Sequence, residues 1–240
     1  MERENKQTSQ RDVAISLMEQ NLFGDALPIF LNLAKSNPDD WGLFYMAGQC
    51  CRFTEQYAEA INLLEKAADM SPNEAEVFVA LGVAFQLSGD YTSSLTALER
   101  VLQIDPKNWN ACNSMGLTYR KKGDTHKAIE LYIRAGDIYS EELARKNIDK
   151  YTREEVTDEG KRVLVVDPIA MEKVMNELLR SEPWPAYFSN NIGICYLELG
   201  DFESAKIAFE ESIEFTPDGF DYPAPQHHLE LMEEDISKDN

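Results

Sequence analysis

His227 and His228, with Glu230 and Glu234 behind them, come nearest to a metal-ligand set in this sequence. On a helix, His and Glu three or four residues apart share a face. The competing reading is a wet face of a terminal helix, and no metal is expected. His126 follows Gly123-Asp124-Thr125 and reads as a solvated helix-start residue. Cys50 and Cys51 are adjacent, while Cys112 and Cys195 are remote, so neither a CxxC pair nor zinc spacing exists. Each cysteine reads as a small buried apolar side chain, reduced in a cytoplasm. No Ser/His/Asp order, GxSxG, phosphate loop or paired-carboxylate motif occurs. The expectation is a chain that is not an enzyme, with no catalytic residues and no cofactor.

What positions these side chains is written in the spacing of glycine and proline. Gly48, Gly82 and Gly116 lie 34 residues apart, and Pro38, Pro72 and Pro106 keep the same interval. Each glycine stands ten residues after a proline. The surrounding text agrees: Phe44-Tyr45-Met46-Ala47-Gly48, Phe78-Val79-Ala80-Leu81-Gly82 and Cys112-Asn113-Ser114-Met115-Gly116. Gly89-Asp90-Tyr91 and Gly123-Asp124-Thr125 then mark turns, and a second apolar helix follows each. A glycine in the first helix allows the second to cross closely. Ala26, Ala60, Ala128 and Ala205 occupy helix contacts that a larger side chain would force apart. Tyr57, Tyr91 and Phe202 fill the space beside the turn, and the proline ends the second helix.

This pattern resembles the tetratricopeptide repeat (TPR) family, whose unit is a 34-residue helix–turn–helix. The resemblance implies an all-α fold, an α-solenoid of stacked helix pairs forming one right-handed superhelix over residues 1–240. The repeats fall at 7–40, 41–74, 75–108, 109–142 and 186–219, covering 170 of 240 residues. In the first, Ala14 replaces the glycine and Asn21 the turn glycine. Residues 143–185 break register. Ser140 stands where a proline belongs, so the second helix of the fourth repeat is expected to run on to about Ile148. Thr152-Arg153-Glu154-Glu155 reads as a capping box and Asp167-Pro168 as an N-cap with proline at the first helical position. The expectation is a degenerate helix pair at 152–166 and 168–181, ended by Pro183 and Pro185. The alternative is a strand at Arg162–Val166, which would lack a partner. Leu229, Met232 and Ile236 then line a capping helix at 225–236, with Glu230, Glu233, Glu234 and Asp235 facing water and a frayed tail at Ser237–Asn240.

The resemblance also implies where a ligand sits, because TPR first helices line the concave groove. Those positions hold Thr8, Arg11, Asp12 and Ile15; Tyr45, Met46, Gln49, Arg52 and Phe53; Glu76, Val79, Val83 and Gln86; Asn110, Asn113, Ser114, Leu117, Arg120 and Lys121; and Tyr187, Asn190, Asn191 and Ile194. Asn110, Asn113, Asn190 and Asn191 can each donate to and accept from a peptide backbone, or are simply polar surface. Tyr45, Met46 and Phe53 beside Val79 and Val83 make an anchor pocket, or else Met46 and Phe53 belong to the core. One TPR subtype grips an acidic chaperone C-terminus with basic and asparagine side chains. The corresponding places here hold Arg11, Ile15, Met46, Glu76 and Ala80, so no such clamp is expected.

The charge narrows the partner. With 23 basic and 43 acidic side chains the net charge is −20, which argues against nucleic acid and anionic membranes. Residues 186–240 hold 2 basic and 13 acidic side chains, while 141–185 hold 8 and 11. No apolar run reaches the ~18–20 residues of a spanning helix, and Met1–Asp12 shows no signal peptide. The reading is a cytoplasmic scaffold or co-chaperone-like adaptor that binds a protein or peptide, basic where it meets the acidic end. A basic ligand would bind there in a salt-sensitive way. The alternative is a structural subunit or homo-oligomer assembling through repeat faces.

Overall fold

Twelve helices follow one another among the described residues, and each turn between them is set by a few side chains. The computed structural model describes residues 2–157, 159 and 161–238, and the side chains of residues 10–232 among them. The side chains of Thr8, Glu233, Glu234, Asp235 and Ile236 lie outside that set, as do Asp239 and Asn240. The chain divides into two compact units, Met1–Lys122 and Gly123–Asn240.

The first unit is α1 (Glu2–Glu19), α2 (Phe23–Ser36), α3 (Trp41–Phe53), α4 (Tyr57–Met70), α5 (Ala75–Ser88), α6 (Tyr91–Ile104) and α7 (Trp109–Lys122). Every helix packs on the next in the chain, and α3 also touches α5, and α5 touches α7. The odd-numbered helices therefore form one layer, as the stacking of helix pairs requires. A methyl group on Gly48 would lie 2.7 Å from Cγ of Leu64, and one on Gly82 2.7 Å from Cγ of Leu98. Ala60 is fully buried at the first of these crossings, and Ala26 is fully buried on α2. Asp40 and Asp90 cap their helices, accepting from the backbone N–H of Gly42 and Ser93. Thr118 is fully buried; its hydroxyl donates to the Ser114 carbonyl and accepts from the Gln86 amide at 2.6 Å. Ser94 Oγ lies 3.2 Å from the same oxygen, which joins α5, α6 and α7.

The turn before α4 carries a defect. Gly89 sits in the left-handed region at φ +89°, but the equivalent Glu55 takes φ +63° with a full side chain. A non-glycine residue there costs roughly 1–2 kcal/mol, and glycine returns roughly 0.5–1 kcal/mol of that as backbone entropy. Glu55→Gly should therefore stabilise the first unit by about 0.5–1 kcal/mol. A lower urea midpoint for the variant would contradict this.

The second unit is α8 (Thr125–Lys146), a 3₁₀ turn (Ile148–Lys150), β1 (Thr152–Val156), β2 (Arg162–Val166), α9 (Pro168–Leu179), α10 (Trp184–Leu199), α11 (Phe202–Glu214) and α12 (Ala224–Lys238). The long second helix of the fourth repeat is present as α8. The expected helix at 152–166 is replaced by an antiparallel hairpin, in which Thr152 pairs with Val166 and Val156 with Arg162. The partner that the strand at Arg162–Val166 needs is the very segment that carries the capping-box pattern. Backbone pairing satisfies the facing edge of each strand, and Arg162 adds an ion pair to Glu154 at 3.6 Å. The hairpin base is held by Tyr151, buried, whose hydroxyl donates to the Ala144 carbonyl. Asp167 caps α9 through the N–H groups of Ile169 and Ala170, but α9 ends at Leu179, before either proline. Pro185 lies in the first turn of α10 instead.

Beyond the insertion the repeat resumes. α10 packs on α8, with Phe188 edge-on to Tyr139 at 6.0 Å. Tyr139 is buried, which, with Glu182 and Glu142 near it, pushes its pKa up to about 12. α11 packs on α10, where a methyl group on Gly193 would lie 2.6 Å from the Phe209 ring. The capping helix α12 closes this core with Met232 and Leu229 against Phe209 and Ala205. Phe202 departs from the expected filling role and is exposed.

Candidate functional site

Tyr45, Gln49 and Arg52 stand on one side of α3, three or four residues apart, and bond in series. The Gln49 amide donates to the Tyr45 hydroxyl at 3.2 Å, and Arg52 Nε donates to Gln49 Oε1 at 2.9 Å. Burial raises the Tyr45 pKa and lowers that of Arg52. The Arg52 guanidinium lies 4.0 Å from the centre of the Phe53 ring, which itself stacks on Phe23 at 4.2 Å. Phe53 is 51% exposed and Met46 is half-buried against the core, so only Met46 follows the core reading.

On the neighbouring α5, Val79 and Val83 are half-buried, and Glu76 is exposed close enough to Tyr45 to act on its charge. On α7, Asn113, Leu117 and Arg120 are half-buried and Asn110 is exposed. The layer of odd-numbered helices thus brings together the predicted residues of the second to fourth repeats. Two predicted residues have intramolecular roles there. Arg11 donates to Asp40 at 3.1 Å, bracing α1 against the start of α3, and Gln86 is held by Thr118 and Ser114. The Asn113 Oδ1 is buried and accepts no hydrogen bond.

Asn190 and Asn191 belong to the second unit. Asn190 is 5% exposed and its Oδ1 also accepts nothing; Asn191 is half-buried. Near them lies a cluster that the repeat pattern does not announce. Tyr187 packs against Trp184, Phe220 and Tyr222, with Tyr222 edge-on at 4.6 Å. Burial pushes the Tyr222 hydroxyl up to about 12. Its signal in the sequence is the pair of aromatic residues within Asp218–Pro225, a stretch whose proline and glycine content otherwise marks only a linker. An apolar cleft of about 210 Å3 lies between α8 and α10, lined by Tyr132, Tyr139, Leu179, Phe188, Ile192 and Phe215.

All four cysteines are buried, and burial raises the Cys50 and Cys51 thiols to about 11. The His228 ring stacks on Phe209 at 4.9 Å. Among the described residues no three His, Cys, Asp or Glu side chains gather as a metal site, and no helix is long and apolar enough to cross a membrane.

Tetratricopeptide repeat family models match residues 12–75, 52–109, 111–144 and 186–218. No curated protein matches the chain in sequence. Among solved structures, MamA from Desulfovibrio magneticus RS-1 is 18% identical, with 88% of this chain and 94% of that one aligned at a TM-score of 0.61. YrrB, described as a TPR protein with an unusual peptide-binding site, is 17% identical, with 95% of each chain aligned at a TM-score of 0.57. At such identities the likeness concerns the fold.

Proposed function

The chain belongs to the tetratricopeptide repeat family, and from that premise we propose that it is an adaptor that binds a peptide segment of a partner protein. In the first unit the segment lies across α3, α5 and α7. Tyr45, Val79, Val83 and Leu117 receive its apolar side chains, and Asn110 and Asn113 hold its backbone. Gln49, Arg52 and Arg120 meet its polar groups. In the second unit Asn190 and Asn191 do the same from α10, and the acidic surroundings favour a basic segment. A co-chaperone-like role in the cytoplasm is part of this proposal.

The observation that carries it is the Asn113 amide. A buried acceptor left without a donor costs roughly 1–3 kcal/mol, and a peptide N–H relieves that cost when the amide turns to meet it. The peptide-binding site described for YrrB lends the reading a precedent within the fold. A library of extended peptides titrated against the protein should yield ligands. Asn113→Ala should weaken those bound by the first unit, and Asn190→Ala those bound by the second, each by about 5–30-fold. Affinities unchanged in both variants would remove the asparagines from the mechanism.

A further inference from the structure

We propose that the free edge of β2 pairs with the same edge of a second copy of this chain, making a four-stranded antiparallel sheet and a two-fold dimer. A lone two-stranded hairpin is marginal in water, yet this one exposes Val156 and Leu164 at 68% each and Val166 at 45%. The ladder fixes which backbone groups are available. Asp167 N–H donates to the Tyr151 carbonyl, and Thr157 N–H donates to the Lys161 carbonyl, both at 2.9 Å. Bonded pairs alternate along an antiparallel ladder. The N–H and C=O groups of Arg162, Leu164 and Val166 therefore point away from β1. Among the described residues none of them bonds to another element.

One two-fold register uses all three residues on each copy. Leu164 faces Leu164 of the second copy, and Arg162 faces its Val166. In the same register Val163 meets Val165, and Lys161 stands opposite Asp167. The new edge therefore carries two opposite-charge pairs and no like-charge pair. Pro168, which has no N–H, limits any slip toward α9. The outer edge of β1 cannot do the same, because its central Glu154 would face Glu154. Overall charge points to the same place. Residues 141–185 carry a net −3 of the chain's −20, so two copies repel least there. The surface joins two copies of this chain and is separate from the peptide layer of the first unit.

Sedimentation velocity on the full chain from about 1 to 200 μM should show the mass rise from 27.3 kDa toward twice that value, half-complete at about 10–100 μM as suits a small edge interface. Leu164→Lys sets two lysines face to face and should raise the dissociation constant at least about tenfold. Lys161→Glu, exposed and outside the strand, should raise it about 3–10-fold and serves if Leu164→Lys disturbs the hairpin. Glu154→Gln, on the other edge, should leave it within about twofold. A chain that stays monomeric throughout overturns the proposal. So does a dimer indifferent to both Leu164→Lys and Lys161→Glu, or one tightened by Glu154→Gln, which would place the contact on the β1 edge.

Discussion

Phe209→Ala is expected to destabilise the second unit by about 3–5 kcal/mol. Phe209 is fully buried, and one ring serves three helices. It fills the space left by Gly193 on α10, stacks on His228 of α12, and packs with Ala205 of its own helix and with Met232. Removing it opens a cavity that Gly193 and Ala205 cannot close, since neither has a side chain long enough to swing inward. The two units require unit-specific detection, because one global unfolding free energy is not defined for both. Hydrogen exchange of α10 and α11 amides supplies it. Loss of protection should be confined to residues after Gly123. A change below about 1 kcal/mol would mean that the α10–α12 core is not organised around this ring.

Gly48→Val should cost the first unit about 3 kcal/mol. Two terms oppose each other at this position. Replacing glycine in a helix gains up to about 1 kcal/mol of propensity for alanine, and less for valine. Against it stands the contact with Leu64: a methyl group at Gly48 would lie 2.7 Å from Cγ, the branch atom, with the Ala60 carbonyl at 3.4 Å behind it. A branch atom cannot move aside as a chain end can, so crowding wins and the helices must part. Leu64→Ala should recover part of the loss in the double variant, because the two residues share one volume. Strictly additive effects would refute the crossing geometry.

The Gly48 crossing and its counterparts are legible in the amino-acid sequence. The glycine of the first helix and the alanine of the second recur in phase, and a solenoid repeats its contacts as it repeats its sequence. Legibility ends where the repeat does. Thr152–Val156 carries a capping-box pattern, but it becomes a strand because Arg162–Val166 supplies a β-branched partner ten residues on. Local pattern loses to pairing that is not local. Arg11 and Gln86 occupy groove register, yet each finds a partner within the first unit. Register gives a residue's place on a helix, whereas its hydrogen bonds depend on what the neighbouring helix offers. The Tyr187, Phe220 and Tyr222 cluster joins a helix to an irregular segment, and no periodicity describes such a contact.

The most direct test of peptide capture is an amide chemical-shift map of the full chain titrated with a ligand from the peptide library, chosen as one whose binding Asn113→Ala weakens. The account predicts perturbations concentrated on α3, α5 and α7, around Tyr45, Gln49, Val83, Asn113 and Leu117, with α4 and α6 largely silent. Perturbations centred on α4 and α6, or spread evenly over the first unit, would contradict it.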